Sequence, residues 1–471
     1  MNMKRRFKDL KNIEIGIKNM KPPMKDNSKK PVLVTKETIN FRKNKIIRNM
    51  KAANLSSIII YADKEHGGSF EYLTGFIPRF EEALLILNVD GTSTLVLGNE
   101  NYNKVKYSLL KSEGLLCPLF SLPNQPMGDF KPVEHYLKQV NIDTTAKVGL
   151  IDWKLLSNDY EDFHESTSIP SFIVEGIKKV VQREKVVNAT QIFIHPDRGA
   201  RVTNNANEIA RYEYGASLAS DSVLEGLNHL REGVSELEIG DILQKDGQLP
   251  NVVTITAFGP RFEKANLYPK DNELELGDNV ALTVSYKGGL TSRSGFAVNN
   301  YEELTDYAEG YLENMVVPYF KAYVYWLQNM KIGLNGGQFY KNFNEFYPQS
   351  KYGWELNPGH LTADEEWLSS PFFEGSTAEV KSGMIFAVDF IPNIEGYNGV
   401  SAESTVAIAD ESLRIEIKQQ YPDLWERIVN RKKYIKENIG IELSEELLPL
   451  SSLLGYYRPF FLNSREALSV E

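Results

Sequence analysis

The sequence contains almost no cysteine and no long apolar run, and each absence excludes a class of protein. Cys117 is the only cysteine among 471 residues, so no intrachain disulfide can form, as is typical of a reducing compartment. We expect Cys117 to be a small buried hydrophobic residue rather than a nucleophile. Without a run of about 18 apolar residues, the sequence predicts no membrane span and favours a cytoplasmic location.

Positive charge is also scarce. Lysine and arginine total 53 against 63 aspartates and glutamates, which gives a net charge of −10. Nonspecific nucleic-acid binding needs a basic face that releases counterions, so we expect no nucleic-acid partner. The lysine-rich residues 1–37 show no clear amphipathic stripe, and we therefore expect no membrane partner either.

The length predicts two domains. Residues 1–37 have little periodicity and predict a tail, whereas residues 38–196 alternate helix and strand patterns, as in an α/β domain. Turn-forming residues over 195–206 mark the link. Residues 205–412 begin with a long amphipathic helix and continue with strands and helices, and residues 413–471 predict a helical C-terminal extension.

Carboxylates are missing from one segment of the second domain. No aspartate or glutamate occurs between Asp278 and Glu302, although this segment carries a strand pattern. Further along, His360 follows a glycine, Asp389 ends another strand pattern and Glu403 precedes a third. The chain therefore has one acid-free strand pair and three scattered residues that are able to bind metal.

Several segments resemble the creatinase, aminopeptidase P and prolidase family in their order and spacing. They are Phe70-Glu71-Tyr72-Leu73-Thr74-Gly75-Phe76, Asn207-Glu208-Ile209 at the start of a long helix, Leu276-Gly277-Asp278, Gly359-His360, Gly383-Met384 before Asp389, and Gly399-Val400-Ser401-Ala402-Glu403. The resemblance covers residues 38–410. It implies an α/β N-terminal domain, a pita-bread α+β C-terminal domain and a homodimer.

Active members of that family hold two divalent metals with Asp, Asp, His, Glu and Glu, since two cations about 3.5–4 Å apart need several carboxylates. By resemblance, these five positions fall on Thr283, Ser294 (or Arg293 or a residue slightly before it, if the hairpin is shorter), His360, Asp389 and Glu403. Two further family histidines fall on Asn266 and Trp367. Both aspartates and both of these histidines are therefore missing.

The remaining His360, Asp389 and Glu403 leave three roles open. They can be a relic held by hydrogen bonds, an acid/base set that works without metal, or the ligands of one Zn or Mn ion with open water positions. The loss of both aspartates favours no metal and no other cofactor, with a single Mn or Zn ion as the weaker alternative.

Arg293, Asn266 and Trp367 are the candidate ligand-contacting residues. If Arg293 points inward, its guanidinium would take the place of the lost cations and pair with Asp389 and Glu403. If it points outward, it is a solvated strand residue. The acidic residues 364–366 predict a solvated loop, because charges are rarely buried unpaired.

Two functions follow from these alternatives. The first is a non-catalytic paralogue that keeps the cleft and binds a peptide, an amino-acid derivative or a protein partner. The second is a metal-independent or single-metal hydrolase that cleaves a C–N bond in a small substrate.

Overall fold

A computed structural model describes residues 10, 12–28, 30–128, 130–156, 164–263 and 268–471. The chain forms two compact units. One, here called the α/β unit, is Val34–Val202. The other, here called the C-terminal unit, combines Thr203–Glu471 with the described residues that precede Val34.

The first described strand, β1 (Ile15–Asn19), belongs to the C-terminal unit. It pairs antiparallel with the strand at Glu466–Val470. Asp26 is buried and forms an ion pair with Arg431, with 2.8 Å between Oδ2 and Nη2. The prediction of a tail is therefore wrong for the described part of residues 1–37, because backbone pairing and buried charge hold it in place.

One six-stranded sheet forms the centre of the α/β unit. Its strands are β2 (Leu55–Ala62), β3 (Ala83–Asn88), β4 (Ser93–Leu97), β5 (Glu113–Leu116), β6 (Lys147–Ile151) and β7 (Val186–Asn188), in the order β5-β4-β3-β2-β6-β7. The helices of this unit are α1 (Lys36–Ala52), α2 (Gly68–Thr74), α3 (Asn99–Tyr102), α4 (Val133–Leu137), α5 (Ser171–Val180) and α6 (Gln191–Ile194). Parallel pairing joins β2 to β6, β4 to β5 and β6 to β7.

Apolar runs in the sequence account for the central strands. Every residue of β2 and β3 is buried, as expected for strands that are covered on both faces. A tight turn joins β3 to β4, and Gly91 in this turn has a φ of +90°, which favours glycine. The predicted burial of Cys117 is confirmed.

Besides the two-stranded sheet of β1 with Glu466–Val470, the described part of the C-terminal unit contains two larger sheets and a set of helices. The strands are β8 (Ile255–Phe258), β9 (Asn279–Tyr286), β10 (Gly289–Phe296), β11 (His360–Leu361), β12 (Ile385–Ala387), β13 (Thr405–Ile408), β14 (Leu447–Pro449) and β15 (Glu466–Val470). The helices are α7 (Ala206–His229), α8 (Glu236–Leu243), α9 (Pro260–Glu263), α10 (Tyr301–Ala308), α11 (Val317–Asn329), α12 (Gly336–Phe346), α13 (Gln349–Tyr352), α14 (Glu411–Gln420) and α15 (Pro422–Tyr434). One sheet has the order β10-β9-β8 and the other β11-β12-β13-β14.

The long helix α7 begins at a capping box. The side chain of Asn205 accepts a hydrogen bond from the backbone N–H of Glu208, and the carboxylate of Glu208 accepts one from the backbone N–H of Asn205, both at 2.9 Å. These two bonds satisfy amides that the first helical turn leaves free. The start of α7 therefore agrees with the predicted start of the helix.

The C-terminal extension is helical only in its first half. After α15 the chain forms a strand, β14, which pairs antiparallel with β13, and it ends in β15. All three residues of β14 are buried, because a short apolar run that contains proline completes the edge of a sheet better than it continues a helix. In the described part of the chain, no helix is both long and apolar enough to cross a membrane.

Candidate ligand-binding site

The β9–β10 hairpin carries hydroxyl groups where the family resemblance places carboxylates. Thr283 lies opposite Ser292 in the strand register, and their hydroxyl oxygens are 2.7 Å apart. Side chains alternate between the faces of a strand. Ser294 therefore shares the face of Thr283, whereas Arg293 points to the opposite face.

Arg293 is buried, but its guanidinium forms no ion pair with the described carboxylates of the site. Its guanidinium donates five hydrogen bonds, and the acceptors are the backbone carbonyls of Ser292, Glu403, Leu453 and Tyr456 and the hydroxyl of Ser404. No carboxylate of the described residues lies within ion-pair distance of it. The predicted pairing with Asp389 and Glu403 is therefore wrong, and so is the solvated orientation, because four backbone carbonyls and one hydroxyl accept the hydrogen bonds of the guanidinium in the interior.

Three adjacent strands bring His360, Asp389 and Glu403 together. His360 in β11 lies opposite Ala387 in β12, and Ala387 lies opposite Thr405 in β13. Asp389 lies two residues beyond Ala387, and Glu403 lies two residues before Thr405. Antiparallel pairing with a two-residue period therefore places all three side chains on one face of the sheet.

Glu366 completes this group, although the sequence predicted it in a solvated loop. The Nε2 atom of His360 lies 2.9 Å from Oε1 of Glu366 and 3.7 Å from Oδ2 of Asp389. Asp364, from the same acidic run, is also buried and accepts a hydrogen bond from the hydroxyl of Tyr212 at 3.0 Å. The predicted solvated loop is therefore wrong, because two of its carboxylates have polar partners in the interior.

Trp367 covers the histidine from the outside. Its ring is stacked on the imidazole of His360, with 4.2 Å between the ring centroids and 29° between the planes. Trp367 is 42% exposed, whereas His360 is fully buried. A ligand that approaches His360 from this side would meet the indole first.

Burial sets the charge of the group. Burial lowers the pKa of His360, but Glu366 and Asp389 together outweigh it and raise this pKa above its ordinary value. Burial raises the pKa of Asp389 to about 6, although His360 opposes the rise. Burial, and then the charge of Asp389, raises the pKa of Glu403 well above its usual range. Burial and the nearby charge of Asp389 therefore favour the protonated form of Glu403, and Glu366 and Asp389 favour the protonated form of His360.

The residues present do not fit two metal ions. A hydroxyl is neutral, and the hydroxyls of Thr283 and Ser292 are hydrogen-bonded to each other, so this side of the site lacks the bridging charge that two dications require. A single ion, by contrast, has enough ligand atoms within reach. Ligand atoms of His360, Glu366 and Glu403 lie within 4.8 Å of one another.

The sequence located the site only in part. It identified His360, Asp389, Glu403 and Trp367, which the fold brings together, whereas it placed Arg293 in a site that its side chain does not enter. Asn266 lies outside the described residues. Glu366 was missed, and the signal that could have indicated it is its position six residues after His360, directly before Trp367.

Comparisons with known proteins identify the fold. No family model matches the sequence, and no curated protein matches it significantly. Among solved structures, an Xaa-Pro dipeptidase from Bacillus anthracis is 15% identical, with a TM-score of 0.58 over 79% of this chain and 96% of its own. An X-Pro aminopeptidase from Thermotoga maritima MSB8 is 16% identical, with a TM-score of 0.58 over 78% of this chain and 95% of its own.

A recombinant prolidase from Thermococcus sibiricus is 19% identical, with a TM-score of 0.58 over 79% of this chain and 94% of its own. At these identities the likeness concerns the fold. The resemblance inferred from the sequence is confirmed at that level: the chain has the pita-bread fold of the prolidases and X-Pro aminopeptidases.

Proposed function

We propose that this chain is a paralogue of the Xaa-Pro peptidases. It does not hydrolyse peptides with a pair of metal ions, and it binds a small peptide or an amino-acid derivative. A protein partner that presents such a group is included in this proposal. The homodimer that the family resemblance implies is part of it as well, and sedimentation of the purified chain checks the dimer.

The observation that carries the proposal is the hydroxyl pair of the β9–β10 hairpin. Thr283 and Ser292 bond to each other, and Ser294 shares their face. An active dinuclear site would need anionic oxygens here, because each carboxylate offsets part of the repulsion between two dications. Neutral hydroxyls that are already hydrogen-bonded supply none of this charge.

The ligand class follows from the fold and the geometry together. The solved structures of the same fold are named dipeptidases, aminopeptidases and prolidases, and these names favour a peptide ligand. Trp367 offers an exposed apolar face directly over the buried polar group, which is the combination that small-molecule sites use. A peptide end or an amino-acid derivative suits such a site.

The test combines a hydrolysis assay with a binding assay on the same samples. We expect no cleavage of Xaa-Pro dipeptides with added Mn²⁺ or Zn²⁺, and saturable binding of at least one peptide of a panel by calorimetry. Trp367→Ala should weaken this binding, whereas Trp153→Ala, which removes an exposed tryptophan of the α/β unit, should leave it unchanged. Metal-dependent cleavage with two ions per chain would overturn the proposal.

A second candidate is hydrolysis of a C–N bond without metal or with one metal ion. The observation that favours it is the contact between Nε2 of His360 and Glu366 at 2.9 Å, since a histidine held by a carboxylate can act as an acid or a base. Turnover of a small amide or amidine substrate that disappears in His360→Ala would establish this candidate. Unchanged turnover in His360→Ala would exclude it.

A further inference from the structure

We propose that the His360, Glu366 and Glu403 side chains bind one divalent transition-metal ion, Zn²⁺ or Mn²⁺, with Asp389 beside them. This ligand set shares His360 and Glu403 with the positions that the family resemblance indicates, but it adds Glu366 and leaves out the β9–β10 hairpin. The inference is independent of whether the chain hydrolyses a substrate.

The spacing of the donor atoms supports a single ion. One ligand atom from each of the three residues lies within 4.8 Å of the others, and the two closest, Nε2 of His360 and Oε1 of Glu366, are 2.9 Å apart. Ligand atoms about 2.0–2.2 Å from a tetrahedral Zn²⁺ ion are spaced by roughly 3.3 Å. The observed distances bracket this spacing, so small side-chain shifts would suffice.

The second nitrogen of His360 favours the tautomer that a metal needs. Its Nδ1 atom lies 3.3 Å from the backbone carbonyl oxygen of Leu361, which accepts a hydrogen bond from a protonated Nδ1. In the neutral ring, Nε2 then carries the lone pair and faces Glu366. A hydrogen bond from the outer nitrogen to a carbonyl is the usual way in which proteins orient a histidine ligand.

Buried carboxylate oxygens supply the second, independent observation. Within the described part of the chain, Oδ1 of Asp389 and Oε1 of Glu403 are buried and have no hydrogen-bond partner. Such atoms are costly to leave unsatisfied. A cation between them and His360 would satisfy both, and it would take the place of the protons that otherwise balance the charge.

The donor chemistry selects the class of ion. One imidazole nitrogen with two or three carboxylates suits Zn²⁺ and Mn²⁺, whereas Ca²⁺ and Mg²⁺ prefer sets made of oxygen alone. The stacked indole of Trp367 excludes water from one side of His360. The same ring also lies close enough to report on an ion at Nε2.

The first test measures how many ions bind and which residue holds them. Metal-free protein, prepared with a chelator, is dialysed against Zn²⁺ or Mn²⁺ and its metal content is measured by plasma mass spectrometry. We expect one ion per chain, and Glu366→Gln should lower the affinity for this ion about tenfold or more. Glu365→Gln, which removes the neighbouring charge outside the ligand set, should bind as the unmodified chain does.

A second readout follows the same site without relying on stoichiometry. Bound Mn²⁺ should quench part of the tryptophan fluorescence, and Trp367→Phe should abolish this change. Glu403→Gln, which conserves side-chain volume, provides a second ligand variant, and circular dichroism confirms that each variant is folded.

Three outcomes would overturn the inference: no bound ion, two bound ions, or one ion whose affinity is unaffected by both Glu366→Gln and Glu403→Gln. A chain that binds peptides but no metal would leave the proposed function standing while the metal site fails. A chain that binds one ion but no peptide would do the reverse.

Discussion

At the scale of single residues, the site depends on where two side chains point rather than on which residues are present. Arg293 was predicted to neutralise the acidic group or to face solvent, and it does neither. A shift of one position along a strand moves a side chain to the other face, and the sequence alone does not fix such a shift. Its partners show that Arg293 has a structural role, since it ties β10 to the backbone of residues 453–456.

Removal of this guanidinium should destabilise the fold while all the proposed metal-ligand side chains stay in place. Arg293→Ala removes five buried hydrogen bonds, four of them to backbone carbonyls, so we expect the free energy of unfolding to fall by about 3 kcal/mol or more. Urea denaturation measures the change. Arg231→Ala removes a largely exposed guanidinium and should change stability by about 0.5 kcal/mol or less. An equal effect of the two substitutions would contradict the structural role of Arg293.

The hydroxyl pair of the hairpin allows a second test at this scale. Thr283→Val leaves the Ser292 hydroxyl without its buried partner, and Ser292→Ala does the same to Thr283, so each should cost about 1–2 kcal/mol. The double variant removes both polar groups together, and its cost should be clearly smaller than the sum of the two. Chemical denaturation of the four proteins checks this. Additive costs would show that the two hydroxyls do not depend on each other.

At the scale of secondary-structure elements, the sequence predicted most of what positions the site. The strand patterns at residues 384–390 and 404–409 are confirmed in β12 and β13, because apolar runs between turn residues are local signals. Glu366 could not be found in this way. Its contact with His360 depends on the path of the chain after β11, which no periodicity encodes.

The same limit explains the N-terminal segment, whose partners are distant in sequence. Arg431 in α15 forms ion pairs with Asp26 and with Glu213 in α7, and Arg427 in α15 also forms an ion pair with Glu213. The local pattern of lysines predicted a tail because it contains no signal of ion pairs with residues that are distant in the sequence.

Substitution of Arg431 should therefore loosen three elements at once. Arg431→Met keeps an apolar stem but removes the ion-pair partner of Asp26 and one of the two cationic partners of Glu213, so we expect a loss of about 3–5 kcal/mol in unfolding free energy. Lys436→Met, which breaks an exposed ion pair with Glu442, should cost about 1 kcal/mol or less. Thermal and urea unfolding of both variants measure the difference. A loss no larger than that of Lys436→Met would show that the buried network does not hold the segment.

At the scale of the whole molecule, the order of the motifs was a better guide than any one of them. Segments spread over residues 38–410 predicted the fold, and the three solved structures compared above are only 15–19% identical to this chain. The fold survives such divergence because cores tolerate substitutions that keep hydrophobic pattern and volume. Metal binding tolerates such divergence less well, since each ligand position needs a particular charge and direction.

The metal-free chain should be most stable in mild acid, because folding raises the pKa of several of its titrating groups. Burial raises the pKa of Asp221 to about 6 and that of Asp389 to about 6, and the pKa values of Glu403 and His360 are raised as well. In each case folding favours the protonated form. A raised carboxyl pKa gives stability that is lost as pH climbs from the unfolded value to the folded one, and a raised histidine pKa acts in the same direction.

We therefore expect the free energy of unfolding to fall between pH 5 and pH 8, as measured by urea denaturation in the presence of a chelator. Asp221 is a partly buried acceptor for the backbone amides of Asp26 and Asn27, and Asp221→Asn should make the decline shallower because it removes one titrating group. The exposed Asp241→Asn should leave the slope unchanged. A stability that rises across this range would mean that the buried carboxyls are charged in the folded chain, and that some cation or ligand already compensates them.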